Sequence, residues 1–318
     1  MKHLVSLLLT LFSIVTIAQK KTDRDLVPAR GHYKQLSSIN AAPVQANLEV
    51  DKLKFETPQP TIERRMELKP HYLTTVTVND FKIPEVPANS SQQTRAELNY
   101  LLALQNQRTD LEVQSSLKMA GIYYNLRVKP EDSTYQFYRN NLFHIGHSIG
   151  TWFTPDNLPV TANFMANVWR DASYFIWSLK FKYARVRPKV LDKSIHNLEE
   201  TDWPAYPSGH AANSYINAYI YQELAPQFTD IFTKDAYDMA HSREILGVHY
   251  PSDSESSRIF ARQFVNKLFS NEQFLKDFEE VKKEWKEKAH ETFEKPQIIK
   301  AEGASQGACG VKTSECIK

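Results

Sequence analysis

Three short stretches between Lys180 and Asp253 carry side chains that bind phosphate or transfer protons, at fixed spacing. Written as strings, they are KxxxxxxRP, PSGH and SRxxxxxHxxxD. Arginine binds two phosphate oxygens with its planar fork, and lysine adds a compact positive charge. A histidine oriented by a carboxylate can attack an electrophile or move a proton. The spacing therefore predicts one site for phosphoryl chemistry.

The first stretch contains Lys180 and Arg187, and Pro188 ends the helical pattern directly after them. Proline cannot continue a helix interior, so Arg187 is expected at a helix end or in the following loop. Taken alone, a basic cluster of this kind is typical of a solvated surface. Its significance depends on the other two stretches.

The second stretch is a tight turn that leads into a helix. A turn that opens a helix directs backbone amides to one point, which suits phosphate oxygens. Ser208 adds a hydroxyl donor, and Gly209 allows a close approach of the backbone. His210 lies at the same rim, where it can donate a proton to a leaving alkoxide. An ordinary helix start with an unrelated histidine is the alternative interpretation.

The third stretch is the most specific. Arg243 can bind phosphate, and His249 precedes a helix start at Pro251. Asp253 then lies in the first turn, four residues after His249, where it can accept a hydrogen bond from one imidazole nitrogen. That bond leaves the other nitrogen free to attack phosphorus.

Length and composition set limits on the function. The chain has 318 residues, 42% hydrophobic and 24% charged, which suits one large globular domain or two small ones. The formal net charge of +2 is too small to indicate a nucleic-acid partner through bulk attraction. Any preference for anions must therefore be local. A homo-oligomer is compatible with the sequence, which leaves the oligomeric state open.

The N-terminus has the pattern of a secretory signal peptide. Lys2 precedes an apolar run from Leu4 to Ile17, and small residues near Ala18 suit cleavage. We expect a mature protein that begins at Gln19 and is periplasmic or secreted, with an uncleaved anchor as the alternative. No later segment has the length and apolarity of a membrane span, so the mature chain is expected to lack a transmembrane helix.

The two cysteines, Cys309 and Cys316, lie in a polar tail that contains glycine and serine. An oxidising compartment can join them in a small loop, and this local role is favoured over catalysis. A pair of cysteines without a neighbouring histidine is a poor metal site.

The residue pattern divides the chain into a signal peptide at 1–18, an extended arm at 19–89, a helical domain at 90–294 and a polar tail at 295–318. The arm is expected to have little core of its own and to pack outside the helices. Ser90 and Ser91 can cap the first helix of the domain. Apolar residues at intervals of three and four predict helices at 109–126, 131–149, 158–181, 208–224, 229–247, 251–269 and 271–294. The expected fold class is all-α, a helical bundle.

Together the three stretches resemble the signature of the type 2 phosphatidic acid phosphatase superfamily, which includes the vanadium-dependent haloperoxidases. The matching positions are Lys180, Arg187, Pro188, Pro207, Ser208, Gly209, His210, Ser242, Arg243, His249 and Asp253. Within the superfamily, the sequence is most similar to the soluble class A bacterial non-specific acid phosphatases. The similarity extends to Lys182, Tyr183, Arg185, Tyr206, Ser252, Ser270 and Asn271, and so covers residues 90–290.

The resemblance implies a fold, an activity and roles for the site residues. It implies the helical bundle of the acid phosphatases and haloperoxidases, and hydrolysis of small-molecule phosphate monoesters with broad specificity. His249 would form a phosphohistidine, Asp253 would orient it, and His210 would protonate the leaving group and later activate water. The residues implied to bind phosphate are Lys180, Arg187, Ser208, Gly209 and Arg243. No metal and no cofactor is implied, although vanadate could bind the phosphate pocket.

Two departures from the class A enzymes leave the substrate open. The arm is longer, and Trp203, Pro204 and Ala205 stand before Tyr206 where those enzymes have a small Gly-Ser step. Trp203 either lines the pocket or packs in the core. The acidic residues Glu199, Glu200 and Asp202 either repel anionic substrates or cover a loop.

Other functions compatible with the motifs are a vanadate-dependent haloperoxidase, a phosphatase of lipid or other specialised phosphates, and a non-catalytic binding module. The intact signature disfavours the binding module, and the lack of predicted membrane spans disfavours a lipid phosphatase. His144 and His147, three residues apart, could pair on a metal. Packing is favoured for them, because no acidic residue or cysteine is near in sequence.

Overall fold

The structure is a computed structural model, and it describes residues 31–293. The predicted signal peptide, the two cysteines and the C-terminal tail lie outside the described residues. The helices of the described part are Gly31–Leu36 (α1), Leu48–Asp51 (α2), Gln59–Met66 (α3), Gln92–Gln107 (α4), Asp110–Ala120 (α5), Tyr135–Asn141 (α6), Pro159–Tyr183 (α7), Pro188–Leu191 (α8), Gly209–Leu224 (α9), Thr229–Ile245 (α10), Pro251–Leu268 (α11) and Glu272–Phe293 (α12). Residues 31–293 contain no β-strand, and the predicted all-α fold class is confirmed.

Helix α9 lies at the centre of the bundle. Its side chains from Ala211 to Tyr221 are almost all buried, and it packs against α7, α10 and α11. A helix that is buried on every side needs neighbours on every side. The helix begins after Ser208, whose hydroxyl accepts a hydrogen bond from the Ala211 amide at 3.4 Å. The PSGH turn is therefore held at the N-terminus of the most enclosed helix.

Helix α7 is the longest in the described part of the chain and carries Lys180 in its last turn. Phe164, Val168, Phe175 and Leu179 form the buried face that packs toward α9 and α12. The helix ends because Ala184 takes a left-handed conformation, with φ 48°, and its amide donates to the Lys180 carbonyl. The chain then turns sharply, so Lys180 and Arg187 face the same region.

Two predicted helices are shorter than expected. The segment 109–126 is helical only as α5, which ends before Gly121, and the segment 131–149 is helical only as α6. Gly146 has φ 88°, and a Cβ atom at that position would lie 2.5 Å from the Phe232 ring. The apolar residues after Asn141 are buried as a loop, so their spacing reflects core packing and not a helix. The prediction of one long helix over 131–149 was wrong for this reason.

The arm runs over the bundle and contains the short helices α1 to α3. Four of its side chains, Tyr72, Leu73, Phe81 and Ile83, are buried in the main hydrophobic core. The buried carboxylate of Asp171 on α7 accepts hydrogen bonds from the Tyr72 and Leu73 amides at 2.9 and 2.8 Å. The expectation that the arm packs outside the core is wrong at these positions, because isolated apolar side chains enter the core without a helical period.

None of the helices in the described part of the chain combines the length and the apolarity that crossing a membrane requires.

Candidate active site

The three motifs meet where the C-terminal end of α7 lies beside the N-terminal ends of α9 and α11. Helix α9 packs against both of the other helices, which places these ends side by side. The Ser208 amide donates to the Asp253 carbonyl at 3.2 Å, which joins the second motif to the third. Arg187 contacts His249 and joins the first motif to the third. The sequence prediction of one site is thus consistent with the tertiary arrangement.

His249 and Asp253 form a buried pair. Nδ1 of His249 lies 2.9 Å from Oδ2 of Asp253, and the Tyr250 amide donates to the same oxygen at 3.0 Å. Nε2 of His249 lies 3.0 Å from Nη1 of Arg187. Because arginine can only donate, Nε2 must accept, and the imidazole proton must be on Nδ1. His249 is therefore held as the neutral tautomer whose Nε2 lone pair faces the cations.

The surroundings stabilise these charge states. Burial and the positive charge of Arg187 hold the pKa of His249 well below its usual 6.5, and Asp253 opposes them only in part. Burial by itself would raise the pKa of Asp253. The Arg185 charge and the hydrogen bond from His249 outweigh burial and hold that pKa below its usual value. The pair therefore consists of a neutral imidazole and an ionised carboxylate.

A buried ion network contacts Asp253 on Oδ1, the carboxylate oxygen that does not face His249. Nη1 of Arg185 donates to Oδ1 of Asp253 at 2.7 Å, and Nη2 donates to Glu97 at 3.0 Å. Glu97 also accepts hydrogen bonds from the amide and the hydroxyl of Ser252, both at 2.9 Å. The guanidinium of Arg185 stacks on the Tyr250 ring at 3.7 Å. Nε of Arg185 has no hydrogen-bond partner among the described residues, but the two Nη contacts fix the position of the Asp253 carboxylate.

Arg187 and Lys180 are held by backbone carbonyls. Nε of Arg187 donates to the Trp203 carbonyl at 3.0 Å, and Nη1 donates to the Val248 carbonyl at 2.5 Å. Nζ of Lys180 donates to the carbonyls of Pro204 and Ala205 at 2.8 and 3.2 Å. The segment 203–205 therefore serves as a backbone support for both cations.

These cations are poorly compensated. Burial lowers the pKa of Arg187 to about 10, and burial together with the charge of Arg187 lowers the pKa of Lys180 well below its usual value. An anion entering the site would relieve this repulsion. The electrostatics of the site thus favour a ligand with several negative charges.

Arg243 is buried at the end of α10, with a single ion pair. Nη2 donates to the Glu199 carboxylate, whereas Nε and Nη1 are buried and have no hydrogen-bond partner among the described residues. Its charge also lowers the pKa of Lys180, Arg187 and His210, which places it in the same electrostatic field. Unsatisfied buried donors on a guanidinium are costly without an anion. Arg243 is therefore suited to bind one.

The PSGH turn adds the N-terminus of α9. Gly209 lies close to Lys180, since a Cβ atom at position 209 would be 4.0 Å from Cε of that lysine. Nε2 of His210 lies 3.1 Å from the Ala120 carbonyl. Because a carbonyl can only accept, Nε2 carries a proton and donates it in a hydrogen bond directed away from the site. Burial and the Arg243 charge hold the pKa of His210 well below its usual value. A bound dianion would raise that pKa again.

The sequence interpretation missed two acidic residues of the site. Glu97 lies on α4, four residues before the buried Leu101, so an acid stands within an apolar helix face. That misplaced charge is a sequence signal for a buried ion pair. Glu199 was considered only as a member of an acidic group. No pattern in the sequence marks it as the partner of Arg243, because the pairing depends on the fold of the 192–203 loop.

Two other candidates lie outside this constellation. The rings of His144 and His147 stack at 5.3 Å, and Nδ1 of His147 donates to the His144 carbonyl. Trp203 packs edge-on against Trp177 and lies under the Arg65 guanidinium. It also lines a cavity of about 520 Å³, which none of the proposed phosphate-binding residues lines. The Trp203 side chain is half-buried, and whether it contributes to substrate binding stays a prediction.

The fold and the site define a class of proteins, namely all-α bundles in which a buried His-Asp pair faces fixed cations. No protein-family model matches the chain. It is 31% identical over 144 residues to a non-specific acid phosphatase of Providencia stuartii, covering 43% of this chain and 58% of that protein. It is 27% identical over 146 residues to a non-specific acid phosphatase of Salmonella typhi, covering 44% and 58%. The chain thus spans less than two thirds of these relatives.

A comparison with solved structures also found a bacterial vanadium-dependent iodoperoxidase, with a TM-score of 0.44 and 16% identity, covering 74% of this chain and 64% of that one. The sequence relatives confirm the resemblance predicted from the motifs. The chain thus resembles bacterial non-specific acid phosphatases.

Proposed function

We propose that this protein is an acid phosphatase that hydrolyses small phosphate monoesters through a phosphohistidine on His249. The observation that carries the proposal is the buried His249-Asp253 pair, whose Nε2 faces Arg187 at 3.0 Å. A neutral nucleophile beside fixed cations is the arrangement that attack on a phosphate dianion needs. The similarity to non-specific acid phosphatases supports the same activity.

In the first step, Nε2 of His249 attacks phosphorus, and the bond from phosphorus to the ester oxygen breaks. The leaving oxygen takes a proton from His210. Since Nε2 of His210 donates to the Ala120 carbonyl, the transferred proton is assigned to Nδ1 of the imidazolium. Asp253 stabilises the positive charge that develops on His249, because it already accepts the Nδ1 hydrogen bond.

In the second step, His210 takes a proton from water, and the water oxygen attacks phosphorus as the bond to His249 breaks. Inorganic phosphate leaves, and both histidines return to their starting states. Lys180, Arg187, Arg243 and the N-terminus of α9 stabilise the phosphoryl oxygens throughout. These fixed cations are proposed to do the work for which many phosphoryl-transfer enzymes use magnesium.

The proposed setting is outside the cytoplasm. The N-terminal pattern of Lys2 followed by an apolar run supports export with cleavage near Ala18. N-terminal sequencing of protein recovered outside the cytoplasm is expected to start at Gln19. An intact Met1 in that fraction would contradict cleavage.

The test of the catalytic proposal is His249→Ala, assayed with an aryl phosphate. We expect loss of at least about a thousandfold in kcat, because the nucleophile is removed. The matched control is His196→Ala, which removes an exposed histidine and should leave the rate unchanged. A wild-type rate in His249→Ala would overturn the mechanism. Quenching under alkaline conditions, which preserve phosphohistidine, should retain label from a labelled substrate in the wild type only.

A parallel assay separates the alternative activity. The same preparation is supplied with vanadate, peroxide and iodide or bromide, and halide oxidation is followed. We expect vanadate to inhibit phosphate hydrolysis by occupying the phosphate site, with no halide oxidation above the protein-free rate. Sustained halide oxidation without phosphatase activity would favour the haloperoxidase function.

A further inference from the structure

Three potential metal ligands meet between α1 and α10, outside the candidate active site. His32 comes from α1, and His241 and Glu244 lie one turn apart on α10. One ligand atom from each residue lies within 4.8 Å of the other two. Two imidazoles and one carboxylate form a donor set that zinc uses in proteins, often with water in the fourth position.

The distances between the three side chains fit the coordination of one metal ion. Nδ1 of His241 lies 3.1 Å from Oε2 of Glu244, and Nε2 of His32 lies 3.3 Å from the same oxygen. Zinc with bonds of about 2.0–2.1 Å in tetrahedral geometry separates its ligand atoms by about 3.3 Å. Two of the three distances between ligand atoms are therefore already close to this value. The histidine side chains are 18% and 25% exposed, which leaves an open side for water.

Tyrosines hold the three ligands in place. The Tyr33 hydroxyl donates to Oε1 of Glu244 at 2.9 Å and leaves Oε2 directed at the histidines. The Tyr100 ring stacks on His32 at 4.8 Å, and the Tyr237 ring stacks on His241 at 5.7 Å. Such partners orient the ligands before a metal binds and reduce the entropy lost on binding.

The contact between His32 and Glu244 also suits a metal ion. Nε2 of His32 is buried and lies 3.3 Å from Oε2 of Glu244, in a poorly aligned contact with that carboxylate. A coordinated metal ion would satisfy both atoms at this separation.

We propose that His32, His241 and Glu244 bind a divalent transition metal, zinc by its donor set, and that the metal ties the N-terminal arm to α10. The ion takes the place of the proton between His241 and Glu244. The site is separate from the phosphatase proposal and does not depend on it. No sequence motif could reveal it, because the two helices are far apart in the chain, as the 211 positions between Tyr33 and Glu244 illustrate.

The test is zinc binding by calorimetry to the full-length protein after treatment with EDTA. Cys309 and Cys316 lie outside the described residues, and their thiolates can bind zinc. The measurement is therefore made with both replaced by serine. We expect one zinc ion per chain, a rise in Tm on zinc addition, and tetrahedral absorption bands when cobalt replaces zinc.

His32→Ala and His241→Ala are each expected to weaken zinc binding by more than about 100-fold, since loss of a supporting residue alone costs about 10–100-fold. Tyr33→Phe should weaken it within that smaller range. His196→Ala, at an exposed histidine, is the control and should bind as tightly as the parent. Wild-type helicity by circular dichroism shows that each variant is folded.

Absence of zinc binding in the parent protein would overturn the proposal, whatever the variants do. Unchanged affinity in both His32→Ala and His241→Ala would also overturn it. Should one histidine variant fail to fold, the parent stoichiometry and Tyr33→Phe still decide the outcome.

Discussion

Nη1 of Arg187 donates a hydrogen bond to Nε2 of His249 at 3.0 Å. The nitrogen proposed to attack phosphorus is thus covered by a cation that is also proposed to bind phosphate. This contact keeps His249 neutral, because a protonated Nε2 would bring two donors together. A substrate oxygen that takes over the arginine donor would release the lone pair where the phosphorus atom arrives. Binding of the substrate would then also activate the nucleophile.

The first prediction concerns the guanidinium of Arg187. Arg187→Lys keeps the charge but removes the planar fork that contacts Trp203, Val248 and His249 together. We expect kcat/KM for an aryl phosphate to fall about 100-fold, as for the loss of one transition-state donor. Arg95→Lys at an exposed ion pair with Asp192 is the control. Equal effects of the two substitutions would argue against a specific role for Arg187.

The second prediction concerns Glu97, which is buried and pairs with Arg185 behind Asp253. Glu97→Gln keeps the shape but leaves Arg185 with one carboxylate partner, so we expect a loss of about 3 kcal/mol in the free energy of unfolding. We also expect kcat to fall about 10- to 100-fold through misplacement of the His249-Asp253 pair, with KM little changed. Urea denaturation and steady-state kinetics measure the two effects.

Glu63→Gln, at an exposed position of α3, is the control for Glu97→Gln. A variant that loses stability but retains kcat would show that Glu97 is only structural.

The third prediction concerns Glu199, which pairs with Arg243 at the rim of the site. A phosphate group that binds Arg243 must share the guanidinium with this carboxylate or displace the carboxylate from it. Glu199→Gln should therefore lower the inhibition constant of inorganic phosphate about tenfold, a change of 1.4 kcal/mol at most. Glu200→Gln is a matched control one residue away, because Glu200 pairs with Lys189 in solvent. Weaker phosphate inhibition in Glu199→Gln would mean that the carboxylate positions Arg243 instead.

The fourth prediction concerns pH. Burial and Arg187 lower the pKa of His249, so the nucleophile stays neutral as the pH falls below 6.5. His210, the proposed general acid, must be protonated to act, and burial and the charge of Arg243 also lower its pKa. Activity should therefore decline as the pH rises through the pKa of His210 and have its optimum below pH 6.5. The profile is measured as kcat/KM, which reports the free enzyme, and a profile that stays flat from mildly acidic to alkaline pH would contradict this assignment.

The fifth prediction concerns metal removal. Since Lys180, Arg187 and Arg243 are proposed to neutralise the phosphate, EDTA should leave the rate of aryl phosphate hydrolysis unchanged. The same treatment should lower the Tm if the α1/α10 site holds zinc. A loss of hydrolysis that magnesium restores would contradict the proposed metal-independent mechanism without bearing on the zinc site.

Much of the candidate site is local in the sequence and was therefore predictable. His249 and Asp253 are four residues apart at a helix start, where backbone geometry alone brings a side-chain nitrogen and a carboxylate together. Ser208 caps α9 through a contact that is equally local, with an amide three residues later in the chain. The helical period also located α7 and α10 to α12, because their buried faces are regular. It failed at 131–149, where a loop is buried and glycine has a left-handed conformation.

The sequence by itself determined the types of groups at the site, the helical class of the fold and the likeness to acid phosphatases. Only the tertiary structure decided which distant partners complete each group. Glu97 meets Arg185, Glu199 meets Arg243, and His32 meets Glu244 through contacts between separate elements. Such contacts have no period and no fixed spacing. They arise because packing around α9 buries charged side chains, and each buried charge is stable only with a partner or a ligand.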